Sequence, residues 1–367
     1  MSGQGLAELF DILVADCKKT LAVPGASAEL SVTGKMDNFL AAALSPVTAR
    51  AIHVSQQTGT DFGVPDFRVD DGNELLGWVE FKAVTGKDLT DLRGHDKKQR
   101  ELFVAGLHNL ILTDGWQWEL YQDTRKVKKA TFHRDTFAKD ALLPPDPKSL
   151  DDLRDLLTMF ASFQLGAYTK VDAAVLALAS RAKAIKLALV ELGPTNAGAH
   201  LNQLRNDFGA LLYRNGQPFT WEKFVDSYVQ IAAFGALLWH LESGQDINLT
   251  HQVGLKPGVH PLLAQCLAIL WSPQSQVPSL KPLLEELCRT VNLIPPSLFT
   301  STTRQKGRRK YVPDPIVHAY EPFFRRYDQA AREANGVYYT PVEIVQQIVS
   351  GVDELLRTTL SRPDGIP

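Results

Sequence analysis

The sequence predicts a mixed α/β domain followed by an all-helical region. Strand-like segments, rich in β-branched and aromatic residues, cluster between about Arg50 and His133. Three prolines then fall within Leu143–Pro147, where neither a helix nor a central strand can continue. Beyond this break, apolar residues recur at helical spacing as far as about Val291. These observations place a compact α/β domain before a helical bundle.

The α/β part begins with two helices. Leu, Phe and Val at helical spacing predict them over Gly5–Ala22 and Ala28–Leu44. Three strand-like segments follow, LLGWVEFKAV, HNLILTD and WQWELYQD, and a helix over Asp96–Leu107 separates the first two. The charged segment Arg125–Lys129 predicts a strand at the edge of the sheet, where lysines oppose aggregation.

The second part is predicted to be a helical connector. Ser149 and the acids after it predict an N-cap and the first turn of a new helix. One apolar stripe then follows at alternating spacings of four and three: Val171, Val175, Leu178, Ala182, Ile185, Leu189 and Leu192. We interpret this region as a bundle that separates or orients other modules.

Composition excludes several classes of protein. Of 367 residues, 44% are apolar and 22% are charged, which is typical of packed globular domains. The net charge of −2 excludes a wholly basic nucleic-acid coat but leaves room for local basic patches. Three cysteines are too few for a disulfide framework or a cysteine zinc site. We found neither a signal peptide nor an apolar run of about 18 residues, so we expect a soluble, cytoplasmic protein without a membrane partner.

The most informative motif combines Val64-Pro-Asp-Phe67 with Trp78-Val-Glu-Phe-Lys82. Alternate side chains of a strand share a face, so Glu80 and Lys82 should point one way, opposite to Val79 and Phe81. Asp66 lies far enough upstream for one strand and a turn at residues 70–73 to fold back. The sequence therefore predicts that Asp66, Glu80 and Lys82 converge.

This trio suits metal-assisted phosphodiester hydrolysis. Two carboxylates, Asp66 and Glu80, can bind Mg²⁺, with Mn²⁺ as a substitute. The metal would polarise the phosphate, while the Lys82 ammonium would position the attacking water and offset developing charge. An E-x-K triplet alone also fits a cross-strand salt bridge on a solvated strand.

The same residues resemble the PD-(D/E)xK nuclease signature. In addition, Gln99-Arg-Glu-Leu-Phe103 resembles the Q-x-x-x-Y element of the Mrr-like and RecB-like branches, with Phe in place of Tyr. The resemblance implies an α/β nuclease fold and a Mg²⁺-dependent endonuclease acting on double-stranded DNA. It also implies that Gln99 lies near the metal-binding carboxylates. Glu29 is a further candidate from the first helices, although an acid at a helix start also favours the helix dipole.

The C-terminal segment carries a second resemblance. Thr340, Pro341 and Glu343 predict the start of a helix, as N-cap, first and third residues. The string from Asp314, ending in Gly336-Val-Tyr-Tyr-Thr-Pro341, resembles motif X of γ-class DNA adenine N6-methyltransferases. That resemblance implies that Tyr339, Thr340 and Pro341 contact S-adenosylmethionine.

The family's glycine-rich cofactor strand and its Asn-Pro-Pro-Tyr motif do not follow, so we expect this chain not to methylate DNA by itself and S-adenosylmethionine to bind only in a full-length enzyme. The chain resembles the N-terminal part of a single-chain restriction–modification enzyme, of the type II fused or type I single-polypeptide groups. The predicted division is nuclease 1–143, helical connector 148–310 and methyltransferase start 311–367. Missing methyltransferase and target-recognition domains would be its partners.

The leading hypothesis is thus a Mg²⁺-dependent, type II-like DNA endonuclease module of a bacterial restriction–modification protein that acts in phage defence. One alternative is a non-catalytic DNA-clamping or assembly module that supports a DNA adenine methyltransferase. A second is a methyltransferase accessory subunit. If Asp66 and Glu80 diverge from Lys82, the nuclease hypothesis fails.

Overall fold

The structure is a computed structural model. It describes residues 3–21, 28–48, 51–57, 64–72, 74–82, 88–132, 146–212, 219–249, 277, 280–300, 322–327, 342–360 and 362–364. Within these ranges the chain is a mixed α/β protein with a six-stranded sheet and many helices. The predicted coarse class, a mixed α/β part followed by helices, is confirmed.

The sheet is formed by β1 (His53–Gln56), β2 (Phe67–Asp70), β3 (Leu75–Phe81), β4 (Asn109–Thr113), β5 (Gln117–Gln122) and β6 (Arg125–Thr131), in that order. All neighbours are antiparallel except β3 and β4, which are parallel. A parallel pair needs a crossover, and helix α3 (Gly94–Gly106) supplies it. Strand β4 is buried along its whole length because helices cover both faces of the sheet.

One face of the sheet packs against α1 (Gly3–Leu21), α2 (Ala28–Thr48) and α4 (Pro147–Ala161). Val79, Phe81 and Ile111 contribute the central strands to this cluster. Helix α4 had been assigned to the connector, yet it packs in the same core as the sheet. It also begins earlier than predicted, because Asp146, and not Ser149, is the N-cap and Pro147 follows it. Residues 133–145, with the predicted linker, lie outside the described ranges.

The opposite face carries α3 and the helices that follow α4. These are α5 (Val171–Asn196), α6 (Gly198–Leu212), α7 (Trp221–Ser243), α8 (Lys281–Asn292), α9 (Ser297–Thr300) and α10 (residues 322–327). A last helix, α11 (Val342–Thr358), has several exposed apolar side chains, among them Ile348 and Leu355. The predicted stripe of α5 is confirmed at Val175, Leu178, Ala182, Ile185 and Leu189, all of which are buried. A single hydrophobic cluster joins this stripe to Trp78, Leu110 and Leu112 of the sheet. The helical region therefore completes the core of the sheet.

Two further expectations concern the surface. Strand β6 is an edge strand, as the charged segment predicted, and Lys128 pairs with Asp152 of α4 at 2.9 Å. The sequence had shown no run long enough to span a membrane. One helix, Trp221–Leu241, is nevertheless long and apolar enough by length and composition, and just over half of it is buried in the core.

Candidate functional site

The candidate site lies where β2 begins and β3 ends. Antiparallel pairing places Phe67 opposite Val79, so Asp66 comes beside Glu80. The Asp66 amide donates to Glu80 Oε2 at 3.2 Å, and the Phe81 amide donates to Asp66 Oδ2 at 2.7 Å. These reciprocal hydrogen bonds fix both carboxylates at the same end of the sheet.

Lys82 completes the predicted trio. Its Nζ lies 2.7 Å from Glu80 Oε1, and the side chains of Lys82 and Glu80 are only 5% and 3% exposed. Trp78 shares their face, whereas Val79 and Phe81 belong to the cluster on the other face. The alternation predicted from the sequence is therefore confirmed. The ion pair joins two residues of one strand segment and is not the cross-strand bridge considered as the alternative.

Helix α3 supplies two more groups. Lys82 Nζ donates to Gln99 Oε1, which brings the fourth predicted residue into contact with the trio. Asp96 Oδ1 lies 3.6 Å from the same Nζ, with a side chain that is 53% exposed. The sequence analysis missed Asp96, although it stands three residues before Gln99 and residues at that spacing share a helix face.

The electrostatics of the site follow from burial. Burial raises the pKa of Glu80 to about 8, and the nearby Asp66 carboxylate acts in the same direction. Burial alone would lower the pKa of Lys82, but the neighbouring Glu80 carboxylate outweighs it and raises that pKa. The lysine is thus held as a cation. The Lys82 ammonium in turn favours the ionised form of Glu80 and so opposes the effect of burial on its pKa.

The donor set fits a divalent cation of the magnesium type. The described residues contain no group of three or more His, Cys, Asp or Glu side chains placed to hold a metal. Two carboxylates nevertheless suffice for Mg²⁺, which is commonly bound by one or two carboxylates together with waters and substrate phosphates. A cation between Asp66 and Glu80 would also favour the ionised form that burial of Glu80 opposes.

A second buried carboxylate occupies the same sheet face. Glu119 of β5 follows Glu80 and Leu112 across the sheet and is fully buried. It accepts from the Tyr121 hydroxyl at 2.6 Å and from Lys126 Nζ at 2.9 Å. Arg100, next to Gln99 on α3, donates to the Tyr121 hydroxyl at 2.6 Å. The sequence predicted this segment only as a strand and gave no signal for Glu119.

Other predicted residues lie outside the described ranges or have side chains that the structure does not describe. Glu29 falls at the start of α2, among residues whose side chains the structure does not describe. Tyr339, Thr340 and Pro341, predicted to contact S-adenosylmethionine, lie outside the described residues. The helix predicted after Pro341 is present as α11.

Comparison with known proteins adds little. No family model matches this chain, and neither does any curated protein. Among solved structures, the chain is similar to the cryo-EM structure of a DrdV–DNA complex, with a TM-score of 0.33 and 18% sequence identity. The alignment covers 96% of this chain and 32% of that chain, so this chain spans about a third of its length.

Proposed function

We propose that this chain carries a Mg²⁺-dependent endonuclease site of the PD-(D/E)xK kind, which hydrolyses phosphodiester bonds of double-stranded DNA. One observation carries the proposal. Asp66, Glu80, Lys82 and Gln99 come from two strands and a helix, yet their side chains and backbone form one connected set of hydrogen bonds and ion pairs.

Each residue has a definite role in this proposal. Asp66 and Glu80 would hold Mg²⁺, which when bound supplies Lewis-acid polarisation of the phosphate. Lys82 presents an ammonium 2.7 Å from Glu80, where it can orient the attacking water and offset negative charge that develops on the phosphoryl oxygens. Gln99 accepts a hydrogen bond from Lys82 Nζ and thereby restricts where that ammonium can point. Hydrolysis then adds water across one P–O bond of the DNA backbone.

The proposal extends to the enzyme in which this site would act. The nuclease would serve a bacterial restriction–modification protein in the cytoplasm, with a methyltransferase and a target-recognition domain supplied by further sequence. S-adenosylmethionine would bind only where a complete methyltransferase is present. Because target-sequence reading is assigned to the other domains, the isolated chain should bind DNA weakly and in a salt-dependent way.

One observation favours the alternative of a non-catalytic DNA-clamping or assembly module. Glu80 and Lys82 are almost completely buried and already satisfy one another. A buried ion pair of this kind can serve register and packing alone. In that case the chain would bind DNA without cutting it, and loss of Glu80 would affect stability only.

Nicking of supercoiled plasmid separates the two functions. The purified chain would be incubated at low salt with Mg²⁺, Mn²⁺ or EDTA, together with the Asp66→Asn and Glu80→Gln variants. Asp152→Asn is a matched control, because its carboxylate pairs with Lys128 on the other face of the sheet. We expect nicking that requires metal and falls at least about a hundredfold in both site variants. Metal-independent nicking, or equal nicking in all variants, would contradict the proposal, whereas DNA binding without nicking would favour the clamp.

A further inference from the structure

Strands β2 and β3 are held together by a helix that lies about two hundred residues further along the chain. Arg68 of β2 and Trp78 of β3 are direct cross-strand partners, and the Arg68 guanidinium lies over the Trp78 ring at 5.5 Å from its centroid. Arg68 Nη1 donates to Glu285 Oε2 at 2.6 Å, and Trp78 Nε1 donates to Glu286 Oε1 at 2.8 Å. Two consecutive carboxylates of α8 thus bind the two members of one cross-strand pair.

This cross-strand pair adjoins the candidate site. Arg68 is two residues after Asp66, and Trp78 is two residues before Glu80, so each shares a strand face with a site carboxylate. A shift of β2 relative to β3 would therefore move Asp66 away from Glu80. Such a shift would break the hydrogen bond of 2.7 Å that the Phe81 amide donates to Asp66.

Glu286 is the more constrained of the two carboxylates. It is fully buried, and it also contacts His108, the residue before β4, and accepts from Arg289 Nη1 at 3.2 Å. Arg289 in turn donates to the Leu75 carbonyl at the start of β3, at 3.3 Å. A fully buried carboxylate is stable only with such partners, because an unpaired buried charge is strongly destabilising. The carboxylate therefore ties α8 to β3 and β4 at fixed positions.

We infer that Glu285 and Glu286 are positioning residues of the candidate nuclease, and that α8 sets the register of the strands carrying Asp66, Glu80 and Lys82. The part of this inference that concerns catalysis rests on the proposed function. The part that concerns strand position does not. The helical region would then be a working component of the nuclease, in addition to any role as a spacer.

Hydrogen exchange and plasmid nicking together test this inference on the full chain. The variants are Glu285→Gln and Glu286→Gln, with Glu191→Gln as the matched control. Glu191 also joins the helical region to the α/β layer, through Lys98 of α3 at 3.0 Å, but does not contact β2 or β3. Exchange would be followed in peptides covering residues 64–72 and 76–82, which include the Asp66 and Phe81 amides.

We expect these two peptides to exchange about tenfold faster in Glu286→Gln, with a smaller increase in Glu285→Gln and none in Glu191→Gln. Turnover at saturating plasmid should fall about tenfold or more while KM changes less than about twofold, because misplacement affects the chemical step and not DNA binding. If these carboxylates only stabilised the fold, their substitution would lower the amount of folded protein, and turnover and KM per folded molecule would both stay unchanged.

The outcomes are distinguishable. Unchanged exchange in both peptides overturns the inference, and so does an increase spread evenly over the chain with normal turnover per folded molecule. If the wild-type chain cuts no DNA, the proposed function fails, and exchange alone decides whether α8 positions the strands. If Glu286→Gln does not fold, the exchange and turnover of Glu285→Gln decide instead. Glu285 pairs with Arg68 in a half-buried position, and its substitution leaves the buried contacts of Glu286 intact.

Discussion

The Lys82 ammonium lies near the carboxylates of Glu80 and Asp96 and the side-chain amide of Gln99. These three groups could be predicted from the sequence to different degrees. Glu80 is two residues away on the same strand face, which the alternation of β3 predicted. Asp96 and Gln99 are one helical turn apart on α3. Gln99 was predicted from its resemblance to a known motif, whereas only the spacing to Gln99 could have pointed to Asp96, since an exposed acid in a charged helix start carries no distinctive pattern of its own. Side-chain convergence depends on the crossover between β3 and β4, which the sequence suggests but does not specify.

The contact between Lys82 and Gln99 leads to a prediction at the residue scale. Replacing Gln99 with Leu removes the acceptor while preserving shape, so Lys82 loses one restraint. We expect nicking to fall roughly tenfold to a hundredfold, as for other residues that orient a catalytic group. Gln203→Leu, an exposed substitution on α6, should leave the rate unchanged. Equal rates in the two variants would show that Gln99 has no part in the reaction.

The His108–Glu286 pair gives a prediction for pH. Burial lowers the pKa of His108 below its usual value of 6.5, and although burial alone would raise the pKa of Glu286, its contacts with His108, Arg289 and Trp78 lower it to about 2. Since the unfolded chain binds these protons more readily than the folded chain, both groups favour folding at high pH. The His108 contribution is lost as the pH falls below 6.5, and that of Glu286 only below about 4.5.

Urea unfolding of the wild type and of His108→Gln at pH 7.5 and pH 5 measures the His108 contribution. Glu80 and Asp114, whose pKa values are raised, act in the opposite direction but equally in both proteins. The wild type should therefore lose more free energy of unfolding on acidification than the variant, by at most about 1.4 kcal/mol per pH unit. A larger loss in His108→Gln would contradict the assignment.

At the scale of elements, the periodic segments were predictable and their ends were less so. The helical spacing of α5 and the apolar runs of β3 and β4 are long enough to specify their type. Strand β1 was not predicted, because its four residues, HVSQ, are mostly exposed and show no alternation. The start of α4 was misplaced because Asp146 and Ser149 are both good N-caps, and the proline that favours Asp146, Pro147 at the first helical position, was assigned to the linker.

Close packing of β3 against α4 gives a prediction at this scale. A Cβ added at Gly77 would lie 2.5 Å from the Asn109 carbonyl oxygen and 2.6 Å from the Phe160 ring. Gly77→Ala should therefore destabilise the protein by about 1–3 kcal/mol, as overpacking of a core does. Gly34→Ala in α2, where nothing lies within 4 Å, should be neutral or stabilising by roughly 0.5–1 kcal/mol. Thermal unfolding of both variants would test this, and a stable Gly77→Ala protein would disprove the close approach.

At the scale of the whole molecule, changes of composition along the chain predicted where its regions divide, and the motif resemblances implied a nuclease before the connector and a methyltransferase start after it. They could not predict that Trp78, Leu110 and Leu112 share one hydrophobic cluster with Leu178 and Ile185. Contacts such as that between Trp78 and Glu286 join residues 208 positions apart, and local sequence patterns carry no record of them. The packing of the helical region on the sheet is therefore a result of the structure alone.

This shared core predicts the behaviour of a shortened chain. Residues 1–162 keep α4 but lack the helices that cover Trp78, Leu110 and Leu112. Such a chain should be insoluble or lack fixed tertiary packing, because a large apolar face becomes exposed. Near-ultraviolet circular dichroism and soluble yield would be compared with those of residues 1–300. Cooperative unfolding of the shorter chain would show that the two parts fold independently.

The most direct measurement of the central claim compares plasmid nicking by Lys82→Met and Lys128→Met chains in Mg²⁺. Both lysines pair with two acidic side chains, but Lys128 faces α4 on the opposite side of the sheet. If Asp66, Glu80, Lys82 and Gln99 form a hydrolytic centre, Lys82→Met should nick at least about a hundredfold more slowly than wild type, with Lys128→Met unchanged. Undiminished nicking by a folded Lys82→Met chain would contradict the assignment of this site.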